Sequence, residues 1–418
     1  MLPYFRNKDE KLCCGCRACE QICPKQAISM QSNREAFLYP VLKETLCVNC
    51  GLCENVCPMI NRPEGKRFAA TYAVQHKDED ILKLSSSGGV FRLLSDEVIR
   101  NGGYVVGCVW NEYYQPVLRI ANSLNELIPM QGSKYLSSDT NSVYSQVKCL
   151  LEKCEMVFFT GTPCQCAGLL NFLRKPYSNL LTADFLCHGV PSQLAFDSYL
   201  DDLERKHRIA NPYSEGQPTH DLVKSKSKIR GITSYQFRDK EKRGWGLVSS
   251  YTWMQGGKRK KHSAVGMTDP YDFGYLNGYF NRYSCYTCPF KGEKRFTDFT
   301  FCDYWGVERY HELETRKGVS AVTINSKRGE DFVTQLKDKA LWKLTNAAYV
   351  AVDNPSLLYE SSEGIPTIRS SIYEMIQRKG WKWVQRKYLY PKNRLIKLIW
   401  YGLPISVTDG IKKITRRG

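Results

Sequence analysis

Eight cysteines near the start of the chain carry its most specific chemical signal. Cys13, Cys16, Cys19 and Cys23 stand at the spacing Cys-x2-Cys-x2-Cys-x3-Cys, followed by Pro24. Cys47, Cys50, Cys53 and Cys57 repeat that spacing, followed by Pro58. Three thiolates at i, i+3 and i+6 in a tight loop reach three irons of a cubane. The fourth iron faces away and is reached by the fourth cysteine of the other run. The pattern predicts two [4Fe–4S] clusters, one on Cys13, Cys16, Cys19 and Cys57, the other on Cys47, Cys50, Cys53 and Cys23. Gly15 and Gly51 allow close approach of the backbone to the inorganic sulfides. Zinc is the competing metal, but its sites pair two-cysteine knuckles across a longer loop. Cys14 falls off the spacing and is expected to be a bystander. Such clusters carry electrons, so the module implies an electron donor or acceptor protein.

A second group of cysteines is dispersed. Cys285 and Cys288 are two residues apart, and Cys164 and Cys187 each follow a segment that reads as a strand. If those strands are parallel, both thiols lie at one sheet edge, where α/β folds place ligands. Together the four are enough for a third [4Fe–4S] cluster, with Cys166 and Cys302 as substitutes. The alternative is that Cys164 and Cys187 are small buried hydrophobes, as free cysteines often are. Ser85-Ser86-Ser87-Gly88-Gly89 opens an apolar-periodic helix over 90–100. Hydroxyls, free backbone N–H groups and the helix dipole make an anion seat there, suited to a dinucleotide pyrophosphate. The plain alternative is a serine-capped helix. Ser133, Lys134 and Tyr135 would add a cation and hydroxyls to the same phosphates. His188, beside Cys187, is the candidate proton donor, with a hydrogen-bonded structural histidine as the other reading.

These residues need a scaffold, and alternating patterns supply one. Strands are expected at 71–75, 104–110, 155–160, 179–186 and 319–325, and helices at 90–100, 141–153 and from 161 to about 173. That alternation predicts a parallel or mixed sheet covered by helices. A hairpin is expected over 27–41, an exposed Lys-rich insertion over 207–230, and strands from about 229 to 260. The fold class is α+β: a two-cluster ferredoxin fold, then a mixed α/β flavin-binding domain, then a helical basic tail. The boundaries are 1–62, 70–345 and 346–418, with Asn61–Gly65 as linker.

The chain has 418 residues, 18 of them cysteine, and a formal charge of +18. Its opening has no apolar leader, and no segment reaches the roughly 18 apolar residues of a membrane span. Clustered cysteines in such a chain are metal ligands or redox groups in a reducing cytoplasm. From Met375 onward there are twelve Lys/Arg and one acid, Asp409. Over 378–400 aromatic and aliphatic residues interleave with these cations, a composition that suits a helix on an anionic membrane, the inner face for a cytoplasmic protein. A helix packed on the body with a basic outer face fits equally. Nucleic acid has no motif to support it.

Beyond residue 70 the sequence resembles the coenzyme F420 hydrogenase/dehydrogenase beta subunit family. The resemblance rests on Ser87-Gly-Gly89, Gly132-Ser-Lys-Tyr135, Gly161-Thr-Pro-Cys-Gln165, Cys187-His-Gly189, Cys285-x2-Cys288 and Asp303-Tyr-Trp-Gly306 in that order. It implies a flavoprotein oxidoreductase with FAD, a [4Fe–4S] cluster and often F420 as hydride partner, acting on a small-molecule substrate; a lipid-linked substrate would instead suit the basic tail. Versions fused to a two-cluster ferredoxin occur among polysaccharide-synthesis genes. Cys302 stands where relatives often have glycine. Lys294, Arg295 and Asp298 would contact flavin or substrate phosphate, or else be solvated charges. The frequent aromatics, Trp245, Trp253, Tyr271, Phe273, Tyr275, Tyr279, Phe280 and Tyr283, would form core, some of them lining the flavin or substrate pocket. A pure electron-transfer subunit feeding a larger hydrogenase or dehydrogenase is the alternative function.

Overall fold

A computed structural model of the chain describes residues 2–209, 230–360, 364–403 and 407. The insertion expected over 207–230 lies almost wholly outside these residues. The N-terminal unit has one hairpin, β1 (Ile28–Ser32) and β2 (Leu38–Leu42), with the two cysteine runs on either side of it. Strand β3 (Lys66–Arg67) follows it.

The body is an eight-stranded mixed sheet. Its strands are β4 (Ala70–His76), β5 (Tyr104–Trp110), β6 (Pro116–Ala121), β7 (Val157–Thr160), β8 (Leu180–Phe185), β13 (Phe299–Asp303), β14 (Ser320–Ile324) and β15 (Ala340–Thr345). The order is β15-β4-β14-β13-β8-β7-β5-β6. Strands β5, β7, β8 and β13 are mutually parallel, and the outer pairs are antiparallel. β5 and β7 are almost entirely apolar runs, and β8 is apolar apart from the buried Thr182 and Asp184, because a strand covered on both faces has no polar side to alternate with. Strands β6, β13 and β15 complete the sheet beyond the strands legible in the sequence. A smaller antiparallel sheet holds β9 (Ile232–Gln236), β10 (Val248–Gln255) and β11 (Lys258–Val265). Strand β12 (Lys294–Arg295) pairs with β3.

Two helices present the loops that matter. The helix Val90–Arg100 starts from Gly89 at φ 82° and buries Val90, Leu93, Leu94 and Val98 against the sheet. The helix Pro163–Leu173 starts at Thr162, which forms a reciprocal capping box with Gln165 and has proline at the first helical position.

The N-terminal unit is not an independent bead. Phe37 and Tyr39 belong to the core cluster of Phe196, Tyr271 and Trp381, while Cys16, Ala18 and Val56 belong to that of Phe159 and Leu169. Arg17 pairs with Asp139, and Asn171 donates to the Asn61 carbonyl at 2.6 Å. The linker around Gly65 is pressed against Lys294, whose carbonyl carbon would lie 2.9 Å from a β-carbon there.

The region 346–418, expected as an extension, is divided. Val350 and Leu357 fill a cluster with Ala73 and Tyr304. The helices Ile372–Lys379 and Trp381–Tyr388 bury Ile372, Ile376, Trp381 and Val384 in the core. The chain is therefore part of the body to Leu389, because its apolar side chains complete a core that the smaller sheet leaves open. Only the helix Arg394–Gly402 departs from this pattern, with no buried side chain among those described.

Candidate functional site

Three sulfur-rich places and one large cavity adjoin in series. Cys23, Cys47, Cys50 and Cys53 surround a cavity at the outer end of the N-terminal unit, closed by Phe5, Ala27, Ile28 and Leu42. Val48, also on its wall, is 58% exposed. Cys13, Cys16, Cys19 and Cys57 surround a second cavity, floored by Leu2, Tyr4 and Met30. The inner cavity abuts the body, where Cys16 packs on Gly168 of the helix Pro163–Leu173 and its carbonyl accepts from Thr140 Oγ1 at 3.0 Å. Both runs are brought together in the crossed arrangement, with Cys57 joining the first three thiols and Cys23 the second three.

The dispersed cysteines also converge. Parallel β7 and β8 put Cys164 and Cys187 just past neighbouring strand ends. The short helix Tyr283–Tyr286 brings Cys285 up, held by the Arg282 N–H to Val190 O bond at 3.0 Å. Burial raises the thiols of Cys187, Cys285 and Cys288, and negative neighbours within the group raise them further. Cys288 is pushed up to about 11. Cys285 is pushed up to about 12, with the Arg282 guanidinium pulling the other way. Cys187 feels Cys285, Cys164 and Cys288. Thr162 Oγ1 lies 3.1 Å from Cys164 Sγ, and the Gly189 N–H donates to Cys187 Sγ at 3.4 Å. None of the 18 cysteines is in a disulfide. Among the described residues no three His, Cys, Asp or Glu side chains converge tightly enough to share one ion. The thiolates of a cubane stand apart, each on its own iron.

Two residues that the spacing does not mark connect these places. The Cys14 thiol, expected to be a bystander, lies beside those of both Cys16 and Cys164, between the inner cavity and the dispersed group, and the proximity of Cys16 together with burial pushes it well up. Arg282 is 1% exposed and sits at the same junction. Its guanidinium donates to Cys13 O at 3.1 Å and Leu38 O at 2.6 Å and lies 4.2 Å from the Tyr39 ring centroid. Its Nε has no hydrogen-bond partner, and no carboxylate pairs with it among the described residues. Its charge instead faces the sulfurs of Cys13, Cys14 and Cys285.

The substitutes Cys166 and Cys302 take other positions. Cys166 is buried in the core with its thiol toward the Gly161 and Ala183 carbonyls, so it acts as packing. Cys302 lines the large cavity.

That cavity, about 1530 Å³ including its open mouth, lies at the C-terminal ends of the parallel strands. Ser86, Ser87, Gly89, Ser133, Lys134, Tyr135 and His188 all line it, as does Cys187. Ser133 N–H and Oγ donate to Ser86 Oγ at 2.7 and 2.8 Å, joining two loops far apart in sequence. Three expected ligands are otherwise engaged. The Gly88 N–H donates to Ser320 Oγ at 2.9 Å, and a β-carbon there would collide with the Val74 carbonyl, so Gly88 is a packing glycine behind the wall. Ser87 Oγ donates to Val319 O. Lys134 Nζ donates to the carbonyls of Pro129, Gln131 and Gly132, which uses all three ammonium N–H groups and braces the loop instead of reaching a phosphate.

The far wall was invisible as a unit. Arg238, 103 positions from Tyr135, donates to Tyr135 Oη at 3.1 Å and Asp303 Oδ2 at 2.6 Å. Trp305 stacks on Trp245 at 4.4 Å, and Tyr135 on Tyr275 at 4.7 Å. The other expected aromatics Trp253, Tyr271 and Phe280 are core. Lys294, Arg295 and Asp298 do not line the cavity. Asp298 accepts from Thr182 N, Thr182 Oγ1 and Arg328, fastening β8 to β13, and Arg295 holds the Phe290 and Ser356 carbonyls.

Comparison with known proteins bears on the two halves separately. A search of curated proteins gives no match. Among solved structures, the F420-reducing [NiFe] hydrogenase complex from Methanosarcina barkeri, in a xenon-derivatised form, aligns over 78% of this chain and 94% of that one, at 13% identity and a TM-score of 0.43. Residues 12–60 match the family model of the 4Fe-4S dicluster domain. Residues 154–348 match the family model for the C terminus of the coenzyme F420 hydrogenase/dehydrogenase beta subunit. Residues 154–348 are thus similar to the C terminus of the coenzyme F420 hydrogenase/dehydrogenase beta subunit, and they follow an N-terminal stretch similar to an iron–sulfur dicluster domain.

Proposed function

We propose that the chain is an iron–sulfur flavoprotein oxidoreductase that passes electrons between a partner protein and an organic substrate or F420-like cofactor. The observation that carries this reading is the position of Cys187, which belongs both to the dispersed thiol group and to the wall of the large cavity. Cys13, Cys16, Cys19 and Cys57 would hold the inner cluster and Cys23, Cys47, Cys50 and Cys53 the outer one. Cys164, Cys187, Cys285 and Cys288 would hold the third. The outer site is where a redox partner can approach, since Cys50 and Val48 are at the surface.

FAD is the group that suits the cavity. Bound there, it would supply the exchange between one-electron and two-electron chemistry. The N-terminus of the helix Val90–Arg100 would face its pyrophosphate, with Ser86 and Ser133 as hydroxyl partners. Tyr135, Tyr275 and Trp305 give flat walls for rings. Arg238 holds the Tyr135 hydroxyl, and Asp303 holds Arg238, so that tyrosine is fixed in orientation. His188, whose carbonyl accepts from Asn281 Nδ2 at 3.0 Å, is the candidate proton donor on the cavity wall. A role in polysaccharide synthesis is the setting in which such a reductive step on a sugar-bearing substrate fits.

The test is anaerobic purification with iron and flavin assays. About twelve irons and about one FAD per chain are expected, matching three cubanes. Cys164→Ala/Cys187→Ala should lower iron to about eight and leave the signals of the two N-terminal clusters. About eight irons without flavin in the unaltered chain would instead mark a pure electron-transfer subunit.

A further inference from the structure

The helix Arg394–Gly402 differs from the two helices that precede it. Leu395 is 76% exposed, Ile396 69% and Ile399 69%, with Leu398 also exposed. Positions 395, 396 and 399 are i, i+1 and i+4, so they form one continuous stripe along the helix. The two helices before it, also net basic, bury their apolar stripes in the core. The exposure thus sets this element apart from the two basic helices before it.

The surrounding charge says what covers the stripe. Lys392, Arg394 and Lys397 flank it, and between Met375 and Val407 there is no acid. A second copy of this chain would bring identical basic flanks face to face, which like-charge repulsion opposes. Nucleic acid rewards the lysines but not three exposed aliphatic side chains. An anionic bilayer rewards both, since apolar side chains enter the acyl boundary while Lys and Arg meet the headgroups. Trp400 and Tyr401 on the same helix are the residue types that settle at a membrane–water boundary. Among the described residues no helix is long and apolar enough to cross a membrane, so contact would be with the surface.

The helix is also tied to the cavity. Arg243 Nη2 donates to Leu403 O at 3.2 Å, and the Arg243 guanidinium lies over the Tyr401 ring. Two residues on, Trp245 stacks on Trp305, which lines the cavity. We infer that the helix Arg394–Gly402 docks this protein on an anionic membrane surface through Leu395, Ile396 and Ile399, on the Trp305 side of the large cavity. Resting on the oxidoreductase reading, the substrate class that follows is an amphipathic one held at that surface. The docking itself does not depend on that reading.

The test uses the full-length holoprotein and sedimentation with vesicles of phosphatidylcholine alone or with one-third phosphatidylglycerol. The unaltered chain should sediment with the anionic vesicles, weakly with the neutral ones, and release as salt is raised. Leu395→Asp/Ile399→Asp should lower the partition at least tenfold, and Lys392→Glu/Lys397→Glu severalfold, with iron content and gel-filtration volume unchanged. No sedimentation of the unaltered chain would overturn the inference. So would equal sedimentation of the double aspartate variant, or an oligomer that the aspartates dissolve without changing vesicle binding. Iron and flavin contents, measured separately, report on the oxidoreductase reading whatever the vesicles show.

Discussion

The two halves of the N-terminal repeat have the same spacing and the same backbone turn, yet the fold uses them differently. Gly15 and Gly51 occupy equivalent places, and both sit at φ 75°. A β-carbon on Gly15 would meet the Arg282 guanidinium at 2.7 Å, whereas one on Gly51 would meet nothing within 4 Å. Cys16 is buried against Gly168, and its counterpart Cys50 is exposed. One motif thus occupies an interior place and a surface place, and the environment alone makes the difference. The asymmetry orients the proposed wire, with the outer site toward a partner and the inner site toward the sheet.

That contrast can be broken at its strongest point. Gly51→Ala incurs only the left-handed backbone cost, about 1–2 kcal/mol. Gly15→Ala should cost about 3–4 kcal/mol, since it also forces a buried guanidinium out of a packed site. The check is the urea concentration at which each anaerobic variant releases half its iron. Equal midpoints would mean that the two turns are equivalent after all.

A smaller effect sharpens the same contrast electrically. Adding an electron to a cluster beside a fixed positive charge is favourable, so Arg282 should raise the potential of the inner cluster. Arg282→Gln should lower that potential by about 60 mV, tenfold in the equilibrium constant for one electron, and shift the outer cluster far less. Arg282→Lys should restore much of it. Potentials read by electron paramagnetic resonance during a redox titration decide this. Equal shifts at both clusters would point to a general structural effect.

The smallest expected effect lies at the outer end. Val48→Asp places a charge on the exposed apolar rim and should slow reduction by a small one-electron carrier protein two- to fivefold, roughly, in stopped-flow traces. The same change should leave reduction by dithionite, which needs no docking surface, almost untouched.

Much of this molecule was legible without a structure where neighbours in sequence are neighbours in space. The cubane spacing is local, so the eight N-terminal cysteines stand out, and the β5, β7 and β8 runs announce buried strands by composition. The serine-glycine loop before Val90 and the Ser133–Tyr135 segment line one cavity. Their individual duties could not be assigned, because whether Lys134 is free depends on three carbonyls and whether Gly88 is exposed depends on Val74. The basic tail read as one piece, since its composition is uniform from 375 onward. It divides only when Trp381 packs against Tyr199 and Phe280 while Leu395 stays 76% exposed.

The sequence by itself determined the cluster chemistry and the α/β alternation, because both are written in short spacings. Only the tertiary structure decided that Cys14 touches Cys164, that Arg282 joins two cysteine groups, and that Arg238 grips Tyr135 and Asp303. These pairs are separated by 65 to 269 positions in the chain, and no local propensity encodes a contact at that range. They exist because parallel β7, β8 and β13 bring their ends to one edge and the N-terminal unit packs across it.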